Sequence, residues 1–252
     1  MSSQKTLFIT GGSRGIGAAT ARLAAVAGYD VGITYATNAA AAAVIVNGIE
    51  ALGRRAMAIP CDTSDPQQIK QAFAAFDAHF GRLDAFFNNA GILGAAARFV
   101  DIPVTQLTAV LAVNTTGAFV AAQEAVRRMS TRTGGAGGAI VNMSSIAAKL
   151  GGAFEATDYA FSKGGIDTLT VGLAKEVAAE GIRVNAVRPG LIYTDIHEST
   201  GIAGRVDKLK ANVPMRRGGT AEEVAEAVVW LLSDKASYIT GTLVDVAGGR
   251  GL

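Results

Sequence analysis

Apolar residues in this chain fall into short runs separated by longer stretches with helical spacing. The runs at 5–10, 31–36, 55–61, 83–87, 139–145, 182–187 and 242–246 are strand-length, and each is closed by turn-forming or hydroxyl residues, which predicts buried strands. Between them, 18–27, 39–52, 66–80, 104–129, 157–179 and 221–232 read as helices. Asp65-Pro66 is a helix start with Asp as N-cap and Pro in the first turn, while Gly28 and Gly81 are placed to close helices. Gly117 lowers the expected regularity of the 104–129 stretch. Strands alternating with helices at this spacing predict an α/β fold: a doubly wound parallel sheet of about seven strands, with right-handed crossovers and helices on both faces. No repeat or compositional break divides the 252 residues, so one domain over 1–252 is expected.

In such sheets ligands bind beyond the carboxyl ends of the strands. Every glycine or polar cluster here follows a strand: Gly11–Gly17, Asp62, Asn88–Gly91, Ser144-Ser145 and Pro189-Gly190. They should converge on one rim. The Thr10–Gly17 segment reads T-G-x-x-x-G-x-G between a strand and a helix. There a helix N-terminus offers free N–H groups and a positive dipole end, and glycines let a pyrophosphate approach the backbone. Tyr159 and Lys163, four apart on one helix, share a face that looks off the end of the strand carrying Ser145, fourteen positions before the tyrosine. A neighbouring ammonium favours phenolate, so the pair can exchange protons nearer neutrality; lowering a tyrosine by about three pH units takes about 4 kcal/mol. By itself Tyr-x-x-x-Lys is common in helices as a solvated lysine beside a half-buried tyrosine, and its place beside the rim is what gives it weight.

Composition narrows the setting. Half the residues are hydrophobic and 17% are charged, below the usual level of about 25%, which favours a large core and apolar surface covered by other subunits. The longest apolar run, Ala39 to Val46, is far short of the ~18 residues that span a bilayer. No signal-peptide pattern precedes Leu7-Phe8-Ile9, and Cys61 is the single cysteine. The net charge of +2 is spread along the chain. A cytoplasmic protein without nucleic-acid, membrane or metal partners is expected.

With Thr10–Gly17, Asp62, Asn88–Gly91, Asn114, Ser145, Tyr159, Lys163, Pro189-Gly190 and Thr194 in this order and spacing, the chain resembles the short-chain dehydrogenase/reductase family over its whole length. Within it, the likeness is to oxidoreductases of the glucose dehydrogenase and acyl-carrier-protein reductase branches. The resemblance implies a Rossmann-type fold and hydride transfer between a nicotinamide cofactor and a carbonyl or secondary alcohol. Tyr159 would be the general acid or base, Lys163 its partner and a ribose ligand, Ser145 the holder of the substrate oxygen, and Asn114 the anchor of a proton-relaying water. Cofactor contacts implied are Gly11, Ser13, Arg14, Gly15, Ile16, Gly17, Tyr35, Asp62, Thr63, Asn89, Ala90, Gly91, Pro189, Gly190, Ile192 and Thr194, together with Tyr159 and Lys163. Several have plainer readings: Asp62 as a turn cap, Asn88 as a sheet residue, Asn114 as a helix-kink asparagine.

An acid at the end of the second strand would mark an NAD site, whereas Tyr35 stands there, Arg14 lies in the glycine turn, and no Asp or Glu occurs between Asp30 and Glu50. NADP(H) is therefore expected over NAD(H). Ser145 and Tyr159 lie one position further apart than in many members, so the loop Lys149–Asp158 should shape a substrate pocket of its own. An irregular stretch at about 191–213 is expected to be a lid, with Tyr193, His197 and Glu198 as candidate substrate contacts. Gly164-Gly165 in mid-helix suggests a helix packed at a subunit interface, and the family resemblance implies a homotetramer. Against the enzyme stand two other readings, an NADPH-binding sensor without turnover and an interaction module.

Overall fold

The computed structural model describes residues 4–196, 201–202 and 204–252. Seven strands form one sheet: β1 (Thr6–Ile9), β2 (Asp30–Tyr35), β3 (Ala56–Pro60), β4 (Ala85–Asn88), β5 (Gly138–Met143), β6 (Ile182–Pro189) and β7 (Leu243–Val246). All pairings are parallel, in the order β3-β2-β1-β4-β5-β6-β7. Helices α1 (Gly15–Val26), α2 (Ala39–Glu50) and α3 (Pro66–Phe80) follow the first three strands. After β4 come α4 (Val104–Leu111) and α5 (Ala118–Met129), and after β5 come the single turn α6 (Ala147–Leu150) and the long α7 (Thr157–Val177). The short α8 (Arg205–Leu209) and α9 (Ala221–Leu232) precede β7. The expected doubly wound α/β sheet is the fold.

Side chains alternate across each strand, and the two faces have their own cores. Leu7, Ile9, Val31, Ile33, Phe87 and Val141 pack beneath α1, α2 and α9. Phe8, Phe86, Ile140 and Val184 face α3, α5 and α7. On this second face Phe8 lies 4.9 Å from Phe73 edge-on and 4.7 Å from Phe76. Gly32 of β2 makes room for them, because a Cβ there would come 2.6 Å from the Phe76 ring. Each buried phenylalanine contributes about 1.5–3 kcal/mol relative to exposure.

Local chemistry moves several element ends. Helix α1 begins at Gly15, inside the glycine turn, three residues before the alanine run that signals it. The 104–129 stretch is two α-helices joined by a widened π-type turn, Ala112–Gly117. Gly117 is required there, since a Cβ would stand 2.0 Å from the Thr63 carbonyl oxygen. By length and composition Val104–Met129 could cross a bilayer, the one such helical stretch among the described residues, yet it lies along α3 and α7. Pro60 ends β3, an edge strand where a missing N–H is tolerated.

A buried polar layer ties the helices to the strand ends. Asn88 Nδ2 donates to the Ala118 carbonyl at 2.8 Å and to Asn142 Oδ1 at 3.1 Å. Asn142 Nδ2 in turn donates to Thr170 Oγ1 of α7 at 2.9 Å. Asn88 thus serves the sheet, the plainer of its two readings. Buried amides satisfied on both sides specify register, and here they fix α5 and α7 against β4 and β5.

Candidate active site

The carboxyl ends of the strands open into a cleft of about 820 Å³. At its floor the chain turns sharply after β1. Gly11 and Gly15 adopt left-handed backbone (φ +66° and +53°), which glycine reaches without strain. A Cβ on Gly17 would come 2.4 Å from the Gly11 carbonyl oxygen, so this turn closes only around glycine. Thr34 ties it to β2, its hydroxyl accepting from Gly11 N–H at 2.9 Å and its carbonyl from Gly12 N–H at 2.8 Å. From the other side Asn89 Nδ2 donates to the Thr10 and Gly11 carbonyls, both at 2.9 Å. Thr10 Oγ1 accepts from the Asn89 and Ala90 N–H groups at 2.9 and 3.0 Å. Helix α1 has no side-chain cap, so its first-turn N–H groups face the cleft without a side chain competing for them. A glycine cradle under an uncapped helix N-terminus fits the pyrophosphate of a dinucleotide.

Further along the cleft, Tyr35 lies at the end of β2, and Asp62 and Thr63 follow β3. Asp62 also does what its plainer reading says: Oδ1 accepts from Ser64 N–H at 2.9 Å in a local turn. On the far side the lining continues with Pro189, Gly190, Ile192 and Thr194. Gly190 is pressed against the chain before the C-terminus, where a Cβ would lie 2.8 Å from Ala247 Cα. Thr194 reaches across to the glycine turn, within 3.4 Å of where a Gly15 Cβ would be.

Ser145, Tyr159 and Lys163 meet in the middle of the cleft. Asp158 sets the start of α7: its carboxylate accepts from the Tyr159 N–H at 2.8 Å and from Gln106 Nε2 at 2.9 Å. Ser144, the first of the two serines, is committed elsewhere, donating to Asp167 Oδ1 at 2.6 Å, and Asp167 also accepts from Arg188 Nη2 at 2.6 Å. Ser145 accepts from the Ala147 N–H at 3.1 Å, and its hydroxyl acts on the Tyr159 phenol. The phenol is pushed above its ordinary value by burial, with the Ser145 hydroxyl and the Arg205 charge pulling it back. Lys163 is buried and donates from Nζ to the Met143 carbonyl at 2.7 Å; burial lowers its pKa to about 8, opposed by Asp167.

Here the geometry differs from the simple expectation of a lysine depressing a tyrosine. The ammonium sits 5.7 Å from the Tyr159 ring centre and is hydrogen-bonded to the Met143 carbonyl, and the cation that lowers the phenol is Arg205.

All the residues expected at the cofactor and in proton transfer line this one cleft, except Asn114. Asn114 lies just behind it in the π-type turn, buried. Its Nδ2 donates to the Ile92 carbonyl at 2.9 Å and Ser162 Oγ at 3.1 Å, and its Oδ1 accepts from the Ile92 N–H at 2.8 Å. Its side chain therefore frames the loop after Gly91 instead of reaching into the cleft. Tyr193 also departs from expectation. It is not among the cleft-lining residues, and its hydroxyl donates to Asp207 Oδ1 at 2.9 Å. His197 and Glu198 lie outside the described residues. Glu155, Arg205 and Arg250, which no motif signalled, line the cleft as well.

Fold and cleft together define a dinucleotide-binding oxidoreductase of the Rossmann type. A family model described as enoyl-(acyl carrier protein) reductase matches residues 11–250. An oxidoreductase of Escherichia coli K12, YgfF, is 54% identical over 96% of this chain and 98% of its own length. The L-rhamnose 1-dehydrogenase (NAD(P)+) of Sphingomonas is 39% identical, covering 97% of this chain and 95% of its own. A short-chain dehydrogenase from Burkholderia cenocepacia, solved in complex with NADP, superposes with a TM-score of 0.91 at 36% identity over 99% of this chain and 98% of its own. The chain belongs to the short-chain dehydrogenase/reductase family, enzymes that act on CH–OH and C=O groups with a nicotinamide cofactor.

Proposed function

We propose that the protein is an NADP(H)-dependent carbonyl reductase, or the reverse alcohol dehydrogenase, with Ser145, Tyr159 and Lys163 as its reacting groups. The observation that carries this is the convergence of Ser145 and Tyr159 in one glycine-floored cleft, with a buried lysine one helical turn from the phenol. Bound nicotinamide would supply or accept the hydride. Tyr159 Oη would give its proton to the substrate oxygen during reduction and take it back during oxidation, while Ser145 Oγ holds that oxygen. Lys163 Nζ would stabilise the phenolate that results, for which it must turn from the Met143 carbonyl. Asn114 would act by fixing the wall behind Lys163. Tyr159→Phe should leave cofactor affinity nearly intact while kcat collapses. Undiminished turnover of a reducible ketone by that variant would remove Tyr159 from the role.

The preference for NADP(H) rests on charge. Between β2 and α2 the cleft is lined by Tyr35, Ala36, Thr37, Asn38 and Ala41, with Arg14 nearby and no carboxylate in that group. A ribose 2′-phosphate needs positive charge and no acid at this place. Arg14→Ala should weaken NADPH binding more than NADH binding in fluorescence titrations; equal losses would count against the assignment. Exposed Val104, Phe119 and Phe161 on α4, α5 and α7, with open space over Gly164, support a subunit interface and the homotetramer, which light scattering in solution checks. We place the protein in the cytoplasm, acting on a small molecule.

A further inference from the structure

Beyond Tyr159 the cleft has apolar walls, including Leu93, Leu150 and Leu209, and into this part project Glu155, Arg205 and Arg250. These come from three separate places: the loop before α7, the first residue of α8, and the segment after β7. Arg205 is ion-paired to Glu155, with side-chain exposures of 12% and 34%. Arg250 is half-buried and makes no side-chain hydrogen bond or ion pair with any described residue. Burial lowers its pKa, the repelling Arg205 charge adds to that, and the attracting Glu155 opposes it. Asp195, the other acid on this side among the described residues, is exposed at the rim.

Two guanidiniums thus face one carboxylate that is already engaged. Arginine does not shed its proton in proteins, so a half-buried, unpaired guanidinium is stabilised by an incoming anion. The loop bearing Glu155 is held out of its relaxed shape. Phe154 takes a left-handed backbone (φ +65°), and the Ala97 N–H donates to the Glu155 carbonyl at 3.0 Å. Such outliers cluster at ligand clamps.

We propose that Arg250, backed by the Arg205–Glu155 pair, binds a carboxylate on the substrate, so that the chain reduces oxo-acids or oxidises hydroxy-acids in preference to neutral ketones and sugars. This rests on the oxidoreductase reading above. During reduction, hydride from the reduced nicotinamide forms the new C–H bond and the C=O π pair moves to oxygen. That oxygen takes the Tyr159 proton. The cofactor is oxidised, the carbonyl is reduced, and the carboxylate is unchanged.

The test compares acetoacetate and 4-oxopentanoate with their methyl esters in NADPH oxidation, and L-rhamnose in NADP+ reduction. The acids should exceed their esters in kcat/KM by about tenfold, as expected of a charge-assisted bidentate contact. Arg250→Ala should abolish that ratio mainly through KM, and Arg250→Lys should keep part of it. Calorimetric titration of acetoacetate into Tyr159→Phe loaded with NADPH reads binding without turnover. It should give a Kd that weakens with salt and is lost in the Tyr159→Phe/Arg250→Ala double variant. Esters turned over as well as acids, rhamnose oxidised while the acids neither bind nor react, or an unchanged ratio in Arg250→Ala would each overturn the carboxylate site. Binding of the acid with no turnover of any carbonyl or alcohol would support the site and count against the oxidoreductase reading instead.

Discussion

Burying Lys163 should make the cofactor-free protein more stable as pH rises through the range where lysine titrates. Its folded pKa of about 8 lies below the ordinary 10.5. Between those values the unfolded chain holds a proton that the folded chain has released, so unfolding free energy climbs with pH. At about 1.36 kcal/mol per pH unit the whole interval is worth about 3 kcal/mol. Cys61 acts in the opposite sense. Its thiol is pushed from 9.0 up to about 11 by burial and by Asp62 and Asp65, so the folded chain keeps a proton the unfolded one loses, and stability falls above pH 9. Tyr159 and Tyr29, both raised from 10.0, add to that fall at still higher pH. The raw curve therefore mixes both signs, and the difference from Lys163→Met isolates the lysine. Urea unfolding of both proteins from about pH 7 to 10.5 should show the wild type gaining about 3 kcal/mol on the variant. Loss of the hydrogen bond to the Met143 carbonyl shifts the whole difference by about 1–3 kcal/mol without changing its slope. A difference flat to within about 0.5 kcal/mol would show that the buried ammonium keeps its ordinary pKa.

Other substitutions probe the frame. Gly17→Ala forces a methyl to 2.4 Å from the Gly11 carbonyl; dinucleotide affinity should fall at least about tenfold in fluorescence titration, with a stability loss of about 1–3 kcal/mol in urea. Asn88→Ala leaves the Ala118 carbonyl and Asn142 short of a partner; it should cost about 1–3 kcal/mol by urea titration, and an unchanged midpoint would mean the polar layer is dispensable.

Much of this protein was legible in the sequence, because the signals that carried it are local. Strand-length apolar runs set the sheet, and Ala221–Leu232 is legible to the residue, since its periodicity is written within twelve positions; the Thr220–Glu223 capping box closes its start. The glycine turn, Ser145 and the Tyr159–Lys163 spacing follow from the same locality. Where backbones meet, the sequence was silent. Gly117 reads as a flaw in a helix until the Thr63 carbonyl is found 2.0 Å from its missing Cβ. Only the tertiary structure turned Tyr193 away from the cleft, spent the Asn114 amide on Ile92, and directed Lys163 to a carbonyl. It alone gathered Glu155, Arg205 and Arg250, because electrostatic contact between residues tens of positions apart depends on how loops fold back, and no periodicity records that.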